Sequence, residues 1–289
     1  MDMKRVSTCS IALIHHPYAE AFKIIRDAGY EKVDVLERVP HLSLFPEECD
    51  PADLKAAAEA VGLKIANLST YVGGGNESRM AQWQYHDWTV PKPEQFTGCG
   101  FSSDVLADQE KELEQVKRSI DLAVLLGARS MRIAAGDDDP KSLDKVIPWL
   151  KKCAGYAAEK RIYMGMENHS KGTSGQPKVC VELAKEIGSP HFGILYEPHN
   201  LVLHSGTDYR EALEIMKEHI VHVHLKDGVF DDAGEHRFVN LGEGMIDFPW
   251  IIEQLEGAGY EGDYALEFEI DGVAPETGVK DFYEAAKTF

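Results

Sequence analysis

The sequence predicts a single (β/α)8 barrel. Eight short β-rich runs alternate with longer helical patterns along the 289 residues. That length suits one such barrel, which typically takes about 250 residues. The rival, an open doubly wound sheet, would be expected to show a GxGxxG stretch after its first strand or a Walker-type loop, and neither is present.

The first β-rich run, 6–10, precedes a helical pattern at 18–28 that stops at Gly29. The second, 32–36, precedes one at 51–61 that stops at Gly62. The third, 64–69, opens the longest connection, about 71–108. A helix at 109–126 follows, in which Leu113, Val116, Ile120, Ala123 and Val124 recur at helical spacing before Gly127. The fourth and fifth runs, 130–134 and 162–167, are each followed by a helix, at 143–160 and at 177–187, the latter closed by Gly188. The sixth, 192–197, leads to a helix at 209–218. After the seventh, 221–225, Asp247 stands as N-cap with Pro249 in the first turn of a helix at 248–257, and Gly259 lies past its end. The eighth run, 264–268, and a helix at 276–287 close the chain.

Composition bounds the function. With 44% hydrophobic and 27% charged residues the chain has material for one large core and a solvated surface. Lys and Arg number 30 against 49 Asp and Glu, a formal net charge of -19 that repels polyanions and disfavours nucleic acid as a partner. The apolar run at 11–14 is too short for a signal-peptide core or a membrane span, so a cytoplasmic protein with no membrane partner is expected. Cys9, Cys49, Cys99, Cys153 and Cys180 are an odd, scattered set without a CxxC pair, which fits reduced thiols rather than a disulfide framework.

The long connection carries Trp83, Tyr85, His86, Trp88, Phe96 and Phe101 among polar residues. A loop of that length is usually functional. It is read as an aromatic lid over the barrel mouth, opening on Gly73-Gly74-Gly75; the plainer reading is a satellite cluster sealing the rim.

Four consecutive β-rich runs in the second half end in metal-binding residue types: Glu167, Glu197, His224 and Glu267. Successive endings are separated by roughly one βα unit, about 30 residues or somewhat more, so parallel strands bring all four to one edge of the barrel. Each alone is more often a solvated carboxylate or a satisfied core histidine; the coincidence across four strands favours a site. His222 and His224 share a strand face, and His224 is the better placed of the two. Likewise Glu267 is taken as ligand and Glu269 as a neighbouring rim carboxylate. Three carboxylates within a few Å could not all stay ionised without a compensating cation. A Glu3His set is oxygen-rich and hard. It favours Mn²⁺ or Mg²⁺ and tolerates Co²⁺, with Zn²⁺ a further option, and one Mn²⁺ is the expected cofactor.

The stretches Glu167-Asn168-His169, Tyr196-Glu197-Pro198-His199-Asn200, His222-Val223-His224-Leu225-Lys226-Asp227, Leu241-Gly242-Glu243-Gly244 and Leu266-Glu267-Phe268-Glu269 resemble those of the sugar phosphate isomerase/epimerase family, whose architecture is like that of xylose isomerase. That family includes ketose 3-epimerases, hydroxypyruvate isomerase-like proteins and inosose dehydratases. The resemblance implies that Glu167, Glu197, His224 and Glu267 bind one divalent metal, with Glu167 and Glu267 on opposite sides of a bound sugar. It also implies a substrate contact at Arg237 and favours a homodimer or homotetramer. The family usually has Asp where this chain has Glu197.

The chemistry expected is proton abstraction beside a carbonyl, with the metal as Lewis acid stabilising an enediolate and Glu167 and Glu267 as the acid/base pair. Return of the proton to the other face gives an epimer, and delivery to the neighbouring carbon an aldose-ketose isomerisation. Departure of a β-hydroxyl gives a dehydratase or lyase. His199, Lys226, Glu37 and the His15-His16 pair, His16 in particular, are candidate pocket contacts. The expected substrate is an unphosphorylated ketose, inosose or oxidised sugar. An AP endonuclease-like DNA repair enzyme, which needs a basic groove, and a noncatalytic partner subunit are the less favoured readings.

Overall fold

The computed structural model of the chain describes residues 1–45, 48–74, 100–169 and 171–289. Eight parallel strands close into a barrel: β1 (Val6–Cys9), β2 (Lys32–Leu36), β3 (Lys64–Ser69), β4 (Ser130–Ile133), β5 (Tyr163–Glu167), β6 (Phe192–Tyr196), β7 (Ile220–Leu225) and β10 (Tyr264–Leu266). They pair in chain order, and β10 joins β1 through Val6 opposite Tyr264 to complete the ring. A parallel sheet wrapped in helices is covered on both faces, and β6 and β7 are accordingly buried at every position.

The outer layer comprises α1 (Tyr18–Asp27), α2 (Pro51–Val61), α3 (Leu106–Leu126), α4 (Leu143–Lys160), α5 (Pro177–Ile187), the one-turn α6 (Pro198–Asn200), α7 (Tyr209–Met216), α8 (Phe248–Gly257) and α9 (Pro275–Ala286). Helices α2, α3 and α5 stop at Gly62, Gly127 and Gly188, each left-handed with φ of 75°, 76° and 67°, as a glycine at that position allows. Helix α4 ends instead on Arg161 at φ 60°, a left-handed residue with a Cβ.

Asp247 caps α8 by accepting from the Trp250 N–H at 3.1 Å. Asp247→Ala is expected to lower stability by about 1 kcal/mol, the usual value of such a cap. The 2.7 Å pair with Arg210 is half exposed and adds little. Urea unfolding of the two proteins checks this; equal midpoints would contradict it.

Sequence patterning missed one feature, the antiparallel hairpin of β8 (Asp227–Phe230) and β9 (His236–Val239) between β7 and α8. Its short strands are only partly buried and carry little apolar alternation.

The aromatic residues proposed for a lid, Trp83, Tyr85, His86, Trp88 and Phe96, lie outside the described residues, as does Gly75. Where the connection is described it is anchored. Phe101 is fully buried and stacks on Trp149 with centroids 6.0 Å apart, the sealing role rather than the lid role. Gly73 donates to Glu112 Oε1 at 2.5 Å and accepts from the Gly136 N–H at 2.9 Å, and Gly74 bridges to Gly136. A Cβ on Gly73 would stand 2.4 Å from the Ala134 carbonyl oxygen, so this glycine permits close backbone packing and is not a free hinge.

Candidate active site

The C-terminal ends of the strands gather the site. Glu167 is the last residue of β5, His224 lies one before the end of β7, and Glu267 immediately follows β10. All three are buried, and one ligand atom from each lies within 4.8 Å of the others. His224 Nδ1 is 3.3 Å from Glu167 Oε1 and 3.9 Å from Glu267 Oε1, yet forms no hydrogen bond.

Each glutamate divides its two oxygens. Glu167 Oε2 accepts from Arg132 Nη1 at 2.6 Å, and Glu267 Oε2 from Lys226 Nζ at 2.7 Å, which leaves both Oε1 atoms toward the imidazole. Lys226 also donates to Glu269 Oε2 at 2.9 Å. Burial alone would raise the Glu167 pKa, but the Arg132 guanidinium and the His224 contact hold it well below the usual carboxylate range. Glu267 is lowered likewise, burial being opposed by Lys226 and His224. Burial pushes the pKa of Glu269 up despite its share of the lysine. For His224, burial favours the neutral ring, but hydrogen bonding to Asp34 and the Glu167 contact raise its pKa from 6.5 to about 10.

Glu197, the fourth expected ligand, is not part of this group. It follows β6 as N-cap of α6, where Oε1 accepts from the His199 N–H at 3.1 Å and Oε2 from the Asn200 N–H. Its carboxylate thus satisfies the orphan amides of a helix start. Burial raises its pKa to about 8 against the pull of Lys226 and those amides. Asn168 fixes its backbone from both sides, accepting from the Glu197 N–H at 3.0 Å and donating to its carbonyl at 2.6 Å.

The remaining candidates scatter. Lys226 lies in the centre, buried between Glu267 and Glu269. His199 is fully buried beside the hairpin, 2.8 Å from His236 through their Nε2 atoms, and burial lowers its pKa to about 3. A Cβ on Gly228 would come within 2.6 Å of both those nitrogens, so glycine is required there. Glu37 is buried and accepts from the Tyr71 N–H at 2.7 Å, a rim role. His16 sits on the outside of the rim, 3.1 Å from Glu276 and 3.4 Å from Glu20. Arg237 is exposed, because strand alternation directs its neighbours His236 and Phe238 toward His199 and sends Arg237 the other way.

Sequence reading missed Arg132, Asp34, Asn200 and Phe238. Arg132 follows the same rule as the glutamates, a charged residue near the end of a barrel strand, and could have been found by it. The cavity over the cluster, about 320 Å³, is lined by the apolar side chains of Cys9, Ile11, Leu36 and Phe238 together with the charged Arg132, Glu167, Lys226 and Glu267. A second lobe of about 610 Å³ shares Tyr71, Arg132, Glu167 and His169 with it. The Asn200 side-chain amide lines the first cavity and is buried, with neither polar atom hydrogen-bonded.

The residues fit a divalent cation. The fit rests on the buried, unbonded His224 Nδ1 and the two carboxylate oxygens that face it. Arg132 and Lys226 already offset part of the carboxylate charge, so charge crowding alone demands an ion less strongly than the sequence suggested.

Comparison with known proteins agrees with the barrel. The family model described as xylose isomerase-like TIM barrel matches residues 22–288. The chain belongs to that family. Among curated relatives, an inosose dehydratase of Geobacillus thermodenitrificans is 32% identical over 44% of this chain and 47% of its own length. An L-ribulose-5-phosphate 3-epimerase of Salmonella paratyphi A is 26% identical over 54% and 55%. The chain therefore spans about half the length of these curated relatives. A solved L-ribulose 3-epimerase has the same fold, with a TM-score of 0.74 at 16% identity over 98% of this chain and 93% of that one. Among the described residues no helix is long and apolar enough to cross a membrane.

Proposed function

We propose that the chain is a divalent-metal-dependent epimerase or isomerase of a ketose or related keto-sugar. The observation that carries the reading is the facing pair Glu167 and Glu267, each with one oxygen held by a cationic side chain and the other turned to His224 Nδ1. Glu167, His224 and Glu267 would hold the ion, with Mn²⁺ the preferred metal for this oxygen-rich set. When bound, the ion supplies Lewis acidity to a carbonyl and its adjacent hydroxyl.

The chain's own groups would do the rest. Glu167 and Glu267 approach the substrate from two strands, one taking a proton from the carbon beside the carbonyl and the other returning one. Their lowered pKa values keep both ionised at rest, so either can accept the proton from carbon, and the one that returns a proton must first take one up from solvent. The apolar part of the lining suits the C–H groups of a sugar, and the Asn200 amide offers a donor and an acceptor to its hydroxyls. Arg132 and Lys226 are both committed to carboxylates, which supports an unphosphorylated substrate.

A second reading, dehydration of an inosose or keto-sugar, draws on the name of the Geobacillus relative. The same proton abstraction would then be followed by departure of a β-hydroxyl. Incubating Mn²⁺-loaded protein with a panel of keto-sugars in D₂O, followed by NMR, separates the two. Deuterium incorporation without loss of water supports epimerisation or isomerisation, and loss of water supports the dehydratase. No exchange in any member of the panel would count against both.

His224 also sets an expected pH dependence. With its pKa raised to about 10, the imidazole of the metal-free protein carries a proton at neutral pH that must leave before Nδ1 can ligate. The two glutamates are already ionised, so Mn²⁺ affinity should rise by up to about tenfold per pH unit through neutral pH and level off near pH 10, with one proton released. By the same linkage, the stabilisation of the metal-free fold by charged His224 is fully present below its unfolded value near 6.5 and is lost as pH rises through about 10. Calorimetric titration in buffers of different ionisation enthalpy reads the released proton. A pH-independent affinity would contradict the assignment.

A further inference from the structure

Beneath the proposed ligands, on the barrel axis side of β2, β3 and β7, lies a polar network that the proton-transfer chemistry does not use. Asp34 is fully buried at its centre. Its Oδ2 is 2.8 Å from His224 Nε2, 3.1 Å from His222 Nε2 and 2.9 Å from Asn67 Nδ2, while Oδ1 accepts from Ser69 Oγ at 2.7 Å. The amide of Asn67 is oriented by its other end, where Oδ1 accepts from Ser130 Oγ at 2.8 Å. Four strands therefore converge on one carboxylate: β2 through Asp34 itself, β3 through Asn67 and Ser69, β4 through Ser130 and β7 through the two histidines.

We infer that Asp34 is a positioning residue for the metal site, holding His224 with hydrogen on Nε2 so that Nδ1 is presented to the ion. An ionised carboxylate has lone pairs only, so an imidazole nitrogen that bonds to it must be the donor. Both Nε2 atoms are thereby occupied, and the remaining nitrogen of His224 is the one aimed at Glu167 and Glu267. The hydrogen bond also stops the ring from turning about χ2 and makes the ligating nitrogen more basic, as a carboxylate behind a metal-bound histidine generally does. His222, two residues earlier on the same face of β7, donates to the same oxygen at 3.1 Å. It is read as a buttress of Asp34 rather than as a ligand.

The distances favour this reading over a second ion among Asp34, His222 and His224. Those three atoms form a close triad, but Asp34 Oδ2 already stands at ordinary hydrogen-bond distance from both rings and from Asn67. An ion there would have to displace both ring N–H bonds to Asp34.

The inference rests on the metal reading above, and the test separates the two. Mn²⁺ binding to the whole protein is measured calorimetrically for the parent, Asp34→Asn and His222→Gln. Asp34→Asn should weaken Mn²⁺ binding by about 10–100-fold, the usual effect of removing a carboxylate behind a histidine ligand. His222→Gln, which leaves the Asp34–His224 bond in place, should weaken it by less than about threefold. A parent that binds no Mn²⁺ overturns the metal reading and this inference together. A parent that binds, with an Asp34→Asn variant of equal affinity, overturns the inference alone, as does an equal loss in both variants.

Should Asp34→Asn fail to fold, the parent decides. Nitrogen-15 NMR of histidine-labelled protein loaded with diamagnetic Zn²⁺ should show His224 ligated through Nδ1 with hydrogen on Nε2. Ligation through Nε2, or hydrogen on Nδ1, contradicts the role assigned to Asp34.

Discussion

Glu167→Gln is expected to reduce turnover by roughly 10²–10⁴-fold, the range that a positioned general acid or base contributes, while the barrel stays folded. The glutamine amide has nearly the shape of the carboxylate, and its oxygen can still accept from Arg132 Nη1, now at 2.6 Å from Oε2. What it cannot do is take up a proton from carbon, and it weakens the negative charge that faces His224 Nδ1. Activity should therefore fall much further than stability. Turnover of the responsive keto-sugar and urea unfolding of the same preparation provide both readings. A variant with near-normal turnover would remove Glu167 from the acid/base pair, and one that is merely unfolded would show that the Arg132 pair is structural.

Lys226→Met should destabilise the metal-free protein by about 3–5 kcal/mol, the cost of breaking a buried ion pair from one side. Lys226 is almost wholly buried and holds Glu267 Oε2 at 2.7 Å and Glu269 Oε2 at 2.9 Å, so its loss strands two buried carboxylates together. Those two carboxylates would respond by taking up a proton, since burial and like charge both favour the neutral acid. Saturating Mn²⁺ should restore part of the lost stability, because an ion beside Glu267 Oε1 replaces some of the missing positive charge. Urea midpoints with and without Mn²⁺ report both effects. An unchanged midpoint would show that the lysine is a bystander, and a metal-insensitive loss would place the ion away from Glu267.

The architecture was legible because barrel strands and helices each carry local signals. Helices at 51–61, 143–160, 177–187 and 248–257 coincide with the observed elements, and the ends of all but the second rest on glycine or proline chemistry that acts within a few residues. Strand ends also pointed to the site, since Glu167, His224 and Glu267 are brought to one edge by the parallel topology alone.

Side-chain direction was less accessible. Glu197 occupies the anticipated place after β6, but the amides of His199 and Asn200 just beyond it recruit its carboxylate, a local competition that spacing does not report. Arg237 failed to point inward because it belongs to a hairpin whose existence was unforeseen, and one step of strand alternation reverses its face. Asp34 was passed over because it lies within β2 rather than at its end, and its partners come from strands far away in sequence.

The central claim is that a cation gripped at the mouth makes a sugar C–H bond exchangeable. Its most direct test is solvent deuterium exchange into the responsive keto-sugar, followed by NMR for protein loaded with Mn²⁺, protein stripped exhaustively with a chelator, and stripped protein resupplied with Mn²⁺. Exchange should be present, absent and present again in that order. Full exchange by the stripped protein would contradict the account.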